Sequence, residues 1–287
     1  MTVLIVDGAN FMHRARSGFQ LGQYNIVYNF FRNLKALVEQ FEPTRVYFTL
    51  EGHPKRRLEL LPSYKGNRLR LPAPEAPTAE VPEKVQKQLA ALADYHRQAD
   101  LIVDLLARHF PFSVVRHPDH EADDLVLNLV KNSSSAVDFV VVSTDSDFTS
   151  LLQRFDNVHL YHPIDKRFVE APVDYSYVHW KAIRGDGTDN VPKLPGMDDD
   201  RAAALLTGPI DELQQFLVEH GPAFERNVRL VRLMEFTPEE LEQVESSSPT
   251  RDWEAVRATF DGYGFKSILK DPYWGKFQGV FDRLWPT

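Results

Sequence analysis

Two alternating patterns of apolar residues run along the chain. Short continuous runs, at residues 2–7, 45–50, 112–116 and 137–142, read as strands buried on both faces of a sheet, and residues 158–161 and 167–169 as shorter ones. Between them, apolar residues recur at three- and four-residue spacing, which marks one face of a helix. Residues 25–41 place Ile26, Phe30, Leu34, Leu37 and Phe41 on such a face, and Pro43 ends it. Residues 83–110 read as a long helix or a broken pair, with Val85, Leu89, Leu92, Ile102, Leu105 and Leu106 inward. After Asp119, a plausible N-cap, Ala122, Leu125, Val126, Leu129 and Val130 form another apolar face. Residues 11–22, with His13, Arg14 and Arg16, read as a loop or short helix. The alternation to about residue 170 predicts an α/β fold, a mostly parallel sheet with helices on both faces.

From residue 172 onward the pattern turns helical. It predicts helices at 175–184, 201–206, 211–219, 223–234 and 238–244, with a linker or turn at Ser246-Ser247-Ser248-Pro249. The tail, residues 260–285, is rich in Phe, Tyr and Trp and reads as packed core rather than a base-stacking platform. Pro62 ends a helical turn, and Pro72, Pro74, Pro77 and Pro82 make 71–82 an extended loop. No internal repeat interrupts this order. The expected division is an α/β part, 1–171, and a helical part, 172–287.

Composition narrows the class. In 287 residues, 43% hydrophobic and 26% charged content suit a globular protein with a substantial core. No apolar run is long enough to span a membrane, and because the N-terminus is expected to enter a strand at once, no signal peptide is expected. The absence of cysteine excludes disulfides and thiolate metal sites. The expected setting is therefore cytoplasmic, with no membrane contact. A net charge of −8 argues globally against nucleic-acid binding, but a carboxylate-rich metal site carries charge that bound cations offset.

The candidate chemistry lies at strand and helix ends. Asp7 closes the first strand, and Asp145 and Asp147 follow the run 139–142. Parallel sheets bind ligands beyond the carboxyl ends of their strands, where all three stand. Glu121, Asp123 and Asp124 open the helix after Asp119, with Glu121 and Asp124 on one edge and Asp123 on the other side. Asp186 and Asp189 lie in Gly185-Asp186-Gly187-Thr188-Asp189-Asn190. Clustered carboxylates repel and resist desolvation, and an oxygen-loving divalent metal is the economical compensation. A helix dipole could satisfy the acidic turn alone. Residues 53–70 carry Lys55, Arg56, Arg57, Lys65, Arg68 and Arg70 against Glu59 alone, with Tyr64 among them, the footprint of phosphate binding or of a solvated face.

Taken in order, these motifs resemble the flap endonuclease or 5′-3′ exonuclease family, especially bacteriophage members and the nuclease domain of bacterial DNA polymerase I. The residues are Asp7-Gly8-Ala9-Asn10, Tyr64-Lys65-Gly66-Asn67-Arg68, Glu121-Ala122-Asp123-Asp124, Ser143-Thr144-Asp145-Ser146-Asp147 and Gly185-Asp186-Gly187-Thr188-Asp189-Asn190-Val191-Pro192, with a weaker match at Asn227-Val228-Arg229-Leu230. The resemblance implies a PIN-like nuclease core, a helical arch at 53–100 admitting a 5′ single strand, and a C-terminal DNA-binding region with a helix-hairpin-helix-like motif. It implies a metal cluster of Asp7, Glu121, Asp123, Asp124, Asp145, Asp147, Asp186 and Asp189. Glu51 stands where the family has Asp, and its extra methylene lets it reach metal directly or through water. Lys65 matches the catalytic lysine, working with Asp7, Asp124 and Asp145. Arg57 and Arg68 match phosphate-contacting arginines, with Arg14, Tyr64 and Lys193 also expected toward substrate.

The implied activity is phosphodiester hydrolysis near 5′ ends, flaps or nicks of DNA, in replication or repair, by a monomer, with RNA–DNA primers as a further substrate class. Two Mg²⁺ ions about 4 Å apart would activate water and stabilise the leaving oxygen, and Mn²⁺ would substitute. The family's hairpin normally carries a Gly-x-Gly turn and a lysine at a helix start. Here Asp198-Asp199-Asp200-Arg201 follows Gly196, and three aspartates repel phosphate. Whether residues 193–201 hold K⁺ or DNA stays open. The rival readings are a PIN-like ribonuclease and a DNA-structure-binding protein without catalysis.

Overall fold

The computed structural model describes residues 1–20, 22–67 and 82–284. In chain order its strands and α-helices are Thr2–Asp7 (β1), Gly8–Arg14 (α1), Asn25–Phe41 (α2), Arg45–Leu50 (β2), Lys55–Leu60 (α3), Glu83–His109 (α4) and Ser113–Arg116 (β3). Ala122–Lys131 (α5), Asp138–Val142 (β4), Thr149–Leu152 (α6), Val158–His162 (β5), Arg167–Val169 (β6) and Tyr177–Arg184 (α7) follow. Asp199–Thr207 (α8), Ile210–Val231 (α9), Pro238–Leu241 (α10), Glu245–Ser246 (β7), Trp253–Gly262 (α11), Lys266–Leu269 (α12) and Tyr273–Asp282 (α13) complete the series. Arg68, Arg70, Pro72, Pro74, Pro77 and Trp285 lie outside the described residues, and with them the central part of the expected arch.

The chain forms two compact units, each drawn from separated segments: 1–50, 69–116 and 245–287 in the first, 51–68 and 117–244 in the second. This partition follows contacts rather than the strand-rich and helix-rich halves that suggested a boundary at 171.

In the first unit β1 pairs parallel with β2, and β2 with β3. The mostly parallel α/β arrangement expected from the alternating pattern is present. Leu4, Ile5, Val6, Val46 and Phe48 are buried, as strands covered on both faces require. Asp7 ends β1 and at once N-caps α1, its carboxylate accepting from the Asn10 amide at 3.1 Å. The helix therefore starts at Gly8, not Phe11. Residues 245–246 also differ from expectation. The serine-rich stretch is an edge strand, antiparallel to β3, and Ser247 exchanges bonds with Val114 in both directions. The aromatic tail is core, as its composition indicated: Phe260, Phe277 and Phe281 are fully buried, and Phe31 stacks on Phe110 at 5.0 Å.

The second unit contains β4, β5 and β6, with β4 parallel to β5 and β5 antiparallel to β6. Around them stand α3 and α5 through α10. The largest departure from the sequence reading is α9. Two helices were expected, parted at Gly221-Pro222, yet one helix runs through Pro222. Phe216 on one side of the proline, and Ala223 and Phe224 beside it, pack on the cluster of Ile183, Leu194 and Ala202. Tertiary burial outweighs the lost hydrogen bond.

Candidate metal centre

Every expected site residue among the described ones, apart from Asp7 and Arg14, falls in the second unit. Loop closure builds the site. The chain leaving Glu51 is pinned to the start of α5: Gly52 N–H donates to His120 O at 3.0 Å and His53 N–H to Pro118 O at 2.7 Å. A side chain at Gly52 would not fit, because its Cβ would lie 1.9 Å from His117 O. Glu51 then serves as the cap of α5, accepting from the Ala122 amide at 3.1 Å. The N-cap position is Glu121, not Asp119.

A second closure joins residues 61–67 to 185–192. Lys65 takes left-handed φ, 52°, and its amide donates to Asp189 O at 2.9 Å. Asn190 donates to Ser63 O at 2.8 Å and Asn67 to Gly187 O at 2.9 Å. Gly185 turns the chain with φ of 75° where a Cβ would meet Lys193 N at 2.5 Å. These contacts bring Lys65, Glu121 and Asp189 together. The Lys65 ammonium pairs with Glu121 and lies 3.8 Å from Asp189. The Tyr64 hydroxyl stands 3.1 Å from Glu121 and 3.0 Å from Asp189. Burial works against the Lys65 charge, but Glu121, Asp123, Glu51 and Asp189 outweigh it and raise its pKa. Burial, with Glu121 next, raises the Tyr64 phenol, so it stays a protonated donor.

Glu121 and Asp124 do share one edge of α5, as their spacing indicated, and Arg57 occupies it. Its guanidinium donates to Glu121 at 2.6 Å and twice to Asp124, at 2.6 and 2.8 Å, while its Nε donates to Leu230 O at 2.8 Å. Asp124 also accepts from the Met234 amide at 2.8 Å and has His120 at 3.8 Å. Burial disfavours its charge, but Arg57, His120 and Met234 reverse the balance and hold it at about 2. Two expectations are corrected here. Arg57, expected on phosphate, is only 3% exposed and is an internal counter-ion. Asp124, expected as ligand and catalytic group, has both oxygens engaged and no exposed surface.

The two other basic residues of α3 stay exposed. Arg56 pairs with Glu240 at 2.6 Å and Lys55 lies 3.8 Å from Asp119. His120 packs 4.5 Å from the Phe236 ring and bonds to Glu240 at 3.0 Å.

Asp123 points away from Arg57. Loss of hydration, then Glu121 and Glu51, pushes its carboxyl well up, against the pull of Lys65. Asp145 follows β4 and accepts from the Asp147 amide at 2.9 Å. It keeps contact with solvent, yet the surrounding protein strips hydration and raises its carboxyl; Lys181 and Lys65 oppose the rise, Asp189 and Asp186 add to it. Asp147, Asp186 and Asp189 can bring one oxygen each to within 4.8 Å of one another. Three hard oxygen donors this close, with no sulfur or imidazole among them, fit a hard divalent ion.

A fourth residue, absent from the sequence reading, reaches this trio. The Lys181 ammonium, on α7, bonds Asp147 and reaches Asp186 at 2.7 Å. It is 3% exposed. Its signal was present in the sequence: Lys181 is four residues from Tyr177, on the buried face of an amphipathic helix, where a charge requires a partner.

Lys193 is exposed, and Arg14 ends α1 in the first unit. The aspartates of the altered hairpin serve α8 itself: Asp198 caps it through the Arg201 amide at 2.9 Å, and Asp199 and Asp200 fill its first turn. Arg201 folds back on Gly196 O at 2.9 Å.

With this order of motifs on a mostly parallel α/β frame, residues 2–179 match the 5′-3′ exonuclease N-terminal, resolvase-like domain. The chain belongs to the 5′-3′ exonuclease family. A 5′-3′ exonuclease of Mycobacterium tuberculosis is 26% identical over 242 residues, 74% of this chain and 72% of that protein. The thermostable DNA polymerase I of Thermus aquaticus is 27% identical over 297 residues, 94% of this chain but 33% of the polymerase. This 5′-3′ exonuclease chain thus spans about a third of the polymerases it matches. Its fold is that of the bacteriophage T5 D15 flap endonuclease, solved as a complex with DNA and metal ions: TM-score 0.65, 19% identity, 99% of both chains covered.

Proposed function

We propose that this family member hydrolyses DNA phosphodiester bonds near 5′ ends, flaps or nicks, with Mg²⁺ as the physiological ion and Mn²⁺ able to replace it. The carboxylate trio beside Lys65 carries this reading. Asp147, Asp186 and Asp189 would hold one ion, and Glu121, Asp123 and Asp145, with Glu51 through water, line the neighbouring position. The ions, when bound, supply an activated water and charge stabilisation at the leaving oxygen.

The chain's own groups do the rest. Lys65, fixed by Glu121 and the backbone bond to Asp189, offers a compact positive charge to the scissile phosphate. Tyr64, kept protonated, orients Glu121 and Asp189. Arg57 fixes the edge of α5 so that Asp123 faces the reacting centre. The D15 flap endonuclease complex with DNA, and the 5′-3′ exonuclease name of the mycobacterial relative, support DNA as the substrate. The proposed setting is the cytoplasm; no helix among the described residues is long and apolar enough to cross a membrane.

The test is cleavage of a 5′-labelled DNA flap and a matched RNA hairpin, with Mg²⁺ and with chelator. Mg²⁺-dependent release of the flap is expected. Preferential cutting of the hairpin would favour a ribonuclease, and binding of the flap without cutting would favour a non-catalytic DNA-binding protein.

A further inference from the structure

We infer that Lys181 is a built-in competitor for the cation position formed by Asp147, Asp186 and Asp189, and that it weakens this trio's hold on a divalent ion. The inference rests on the reading that the trio binds metal. Two observations carry it. First, the Lys181 ammonium engages Asp147 and Asp186, two of the three carboxylates whose oxygens converge within 4.8 Å. An ion that uses those oxygens must take them from the lysine. Second, the lysine is held in place. It is 3% exposed on α7, between Tyr177 and Ala182, both buried, and α7 packs on α9 through the cluster of Ala182, Val191, Leu230 and Val231. A surface lysine could swing into water when the ion arrives; this one stays near and repels it.

Charge arithmetic points the same way. Lys181 at Asp147 and Asp186, and Lys65 at 3.8 Å from Asp189, already offset part of the negative charge of the three carboxylates. Removing Lys181 adds a unit of attraction and releases the oxygens it holds. Asp189 is secured separately, by the Tyr64 hydroxyl at 3.0 Å, so the trio keeps one anchored member. Lys181 is therefore a positioning residue. It preserves the arrangement of the carboxylates without metal and sets the metal concentration at which the trio fills.

The test is calorimetric titration of Mn²⁺ into the full chain, with melting measured alongside. Lys181→Met should bind Mn²⁺ roughly tenfold tighter than wild type and show a larger Mn²⁺-induced rise in melting temperature. Lys181→Arg, which keeps the charge, should bind like wild type. Equal or weaker Mn²⁺ binding by folded Lys181→Met would overturn the inference. If Lys181→Met is unfolded without metal, Mn²⁺ should restore the fold at concentrations below the wild-type Kd, and failure to restore it counts against the proposal. Asp189→Asn separates the two levels: it should abolish this Mn²⁺ site, and undiminished binding would remove the metal reading itself.

Discussion

Two acidic groups of the second unit, Glu121 with Asp124 and Asp147 with Asp186 and Asp189, look alike in sequence and differ in what neutralises them. Arg57 grips Asp124 with two parallel bonds, and the Met234 amide fills the remaining position. A planar, always-charged guanidinium that satisfies both oxygens leaves nothing for a metal. Lys181 instead offers a single point charge to Asp147 and to one oxygen of Asp186, whose other oxygen accepts from the Thr188 amide at 2.7 Å. Two-point pairing makes Asp124 a structural carboxylate, whereas Asp147 meets its lysine through one oxygen. The difference lies in the cation, not in the acid.

The comparison can be broken most sharply by activity. Asp145→Ala or Asp186→Asn should lower single-turnover cleavage by at least about a thousandfold, some 4 kcal/mol of transition-state stabilisation, with the fold kept. Wild-type rates at saturating Mg²⁺ would dissolve the distinction between the groups. Arg57→Ala should act on stability instead, costing about 3–5 kcal/mol in chemical denaturation because two buried carboxylates lose their counter-ion. A stable Arg57→Ala protein with weakened DNA binding would return Arg57 to the phosphate role its sequence position suggested.

Acid titration sharpens the contrast. A carboxyl held at about 2 against an ordinary 3.8 adds stability above pH 4 and loses it as pH falls toward 2, about 2 kcal/mol for Asp124. Asp124→Asn should flatten that acid limb, and an unchanged limb would show that Arg57 does not hold the charge. Asp123 has the opposite sign. Its raised carboxyl makes the ionised form a burden at neutral pH, relieved as pH falls through the folded-state value toward 3.8. Asp123→Asn should therefore melt slightly higher than wild type without metal, and that gain should vanish in millimolar Mg²⁺. A lower melting point without metal would mean Asp123 is already paired.

Why Arg57 was misread is a matter of period. Lys55, Arg56 and Arg57 are consecutive, and along a chain they resemble one basic patch. On a helix successive side chains diverge by about 100°, so three in a row cannot all face solvent. Arg57 took the inward direction, and Leu58, Leu60 and Leu61 pack on the core cluster around Tyr64. The same arithmetic, applied to Lys181 in the other direction, would have found it. Pro222 misleads for a different reason: its local helix cost is outweighed by the apolar surface that Phe216 and Phe224 bury.

By itself the sequence determined every strand but β7, the course of α2 and α4 and the placing of carboxylates at strand and helix ends. Those depend on side-chain periodicity and on hydrogen bonds between near neighbours, such as Asp7 with Asn10 and Asp145 with Asp147. Only the tertiary structure decided which carboxylates remain available. Arg57 meets Asp124 across 67 residues of chain, Tyr64 meets Asp189 across 125, and Lys181 meets Asp147 across 34. Charge compensation acts through space with a reach of a few ångströms in a desolvated interior, and no local pattern along the chain encodes which cation will arrive there.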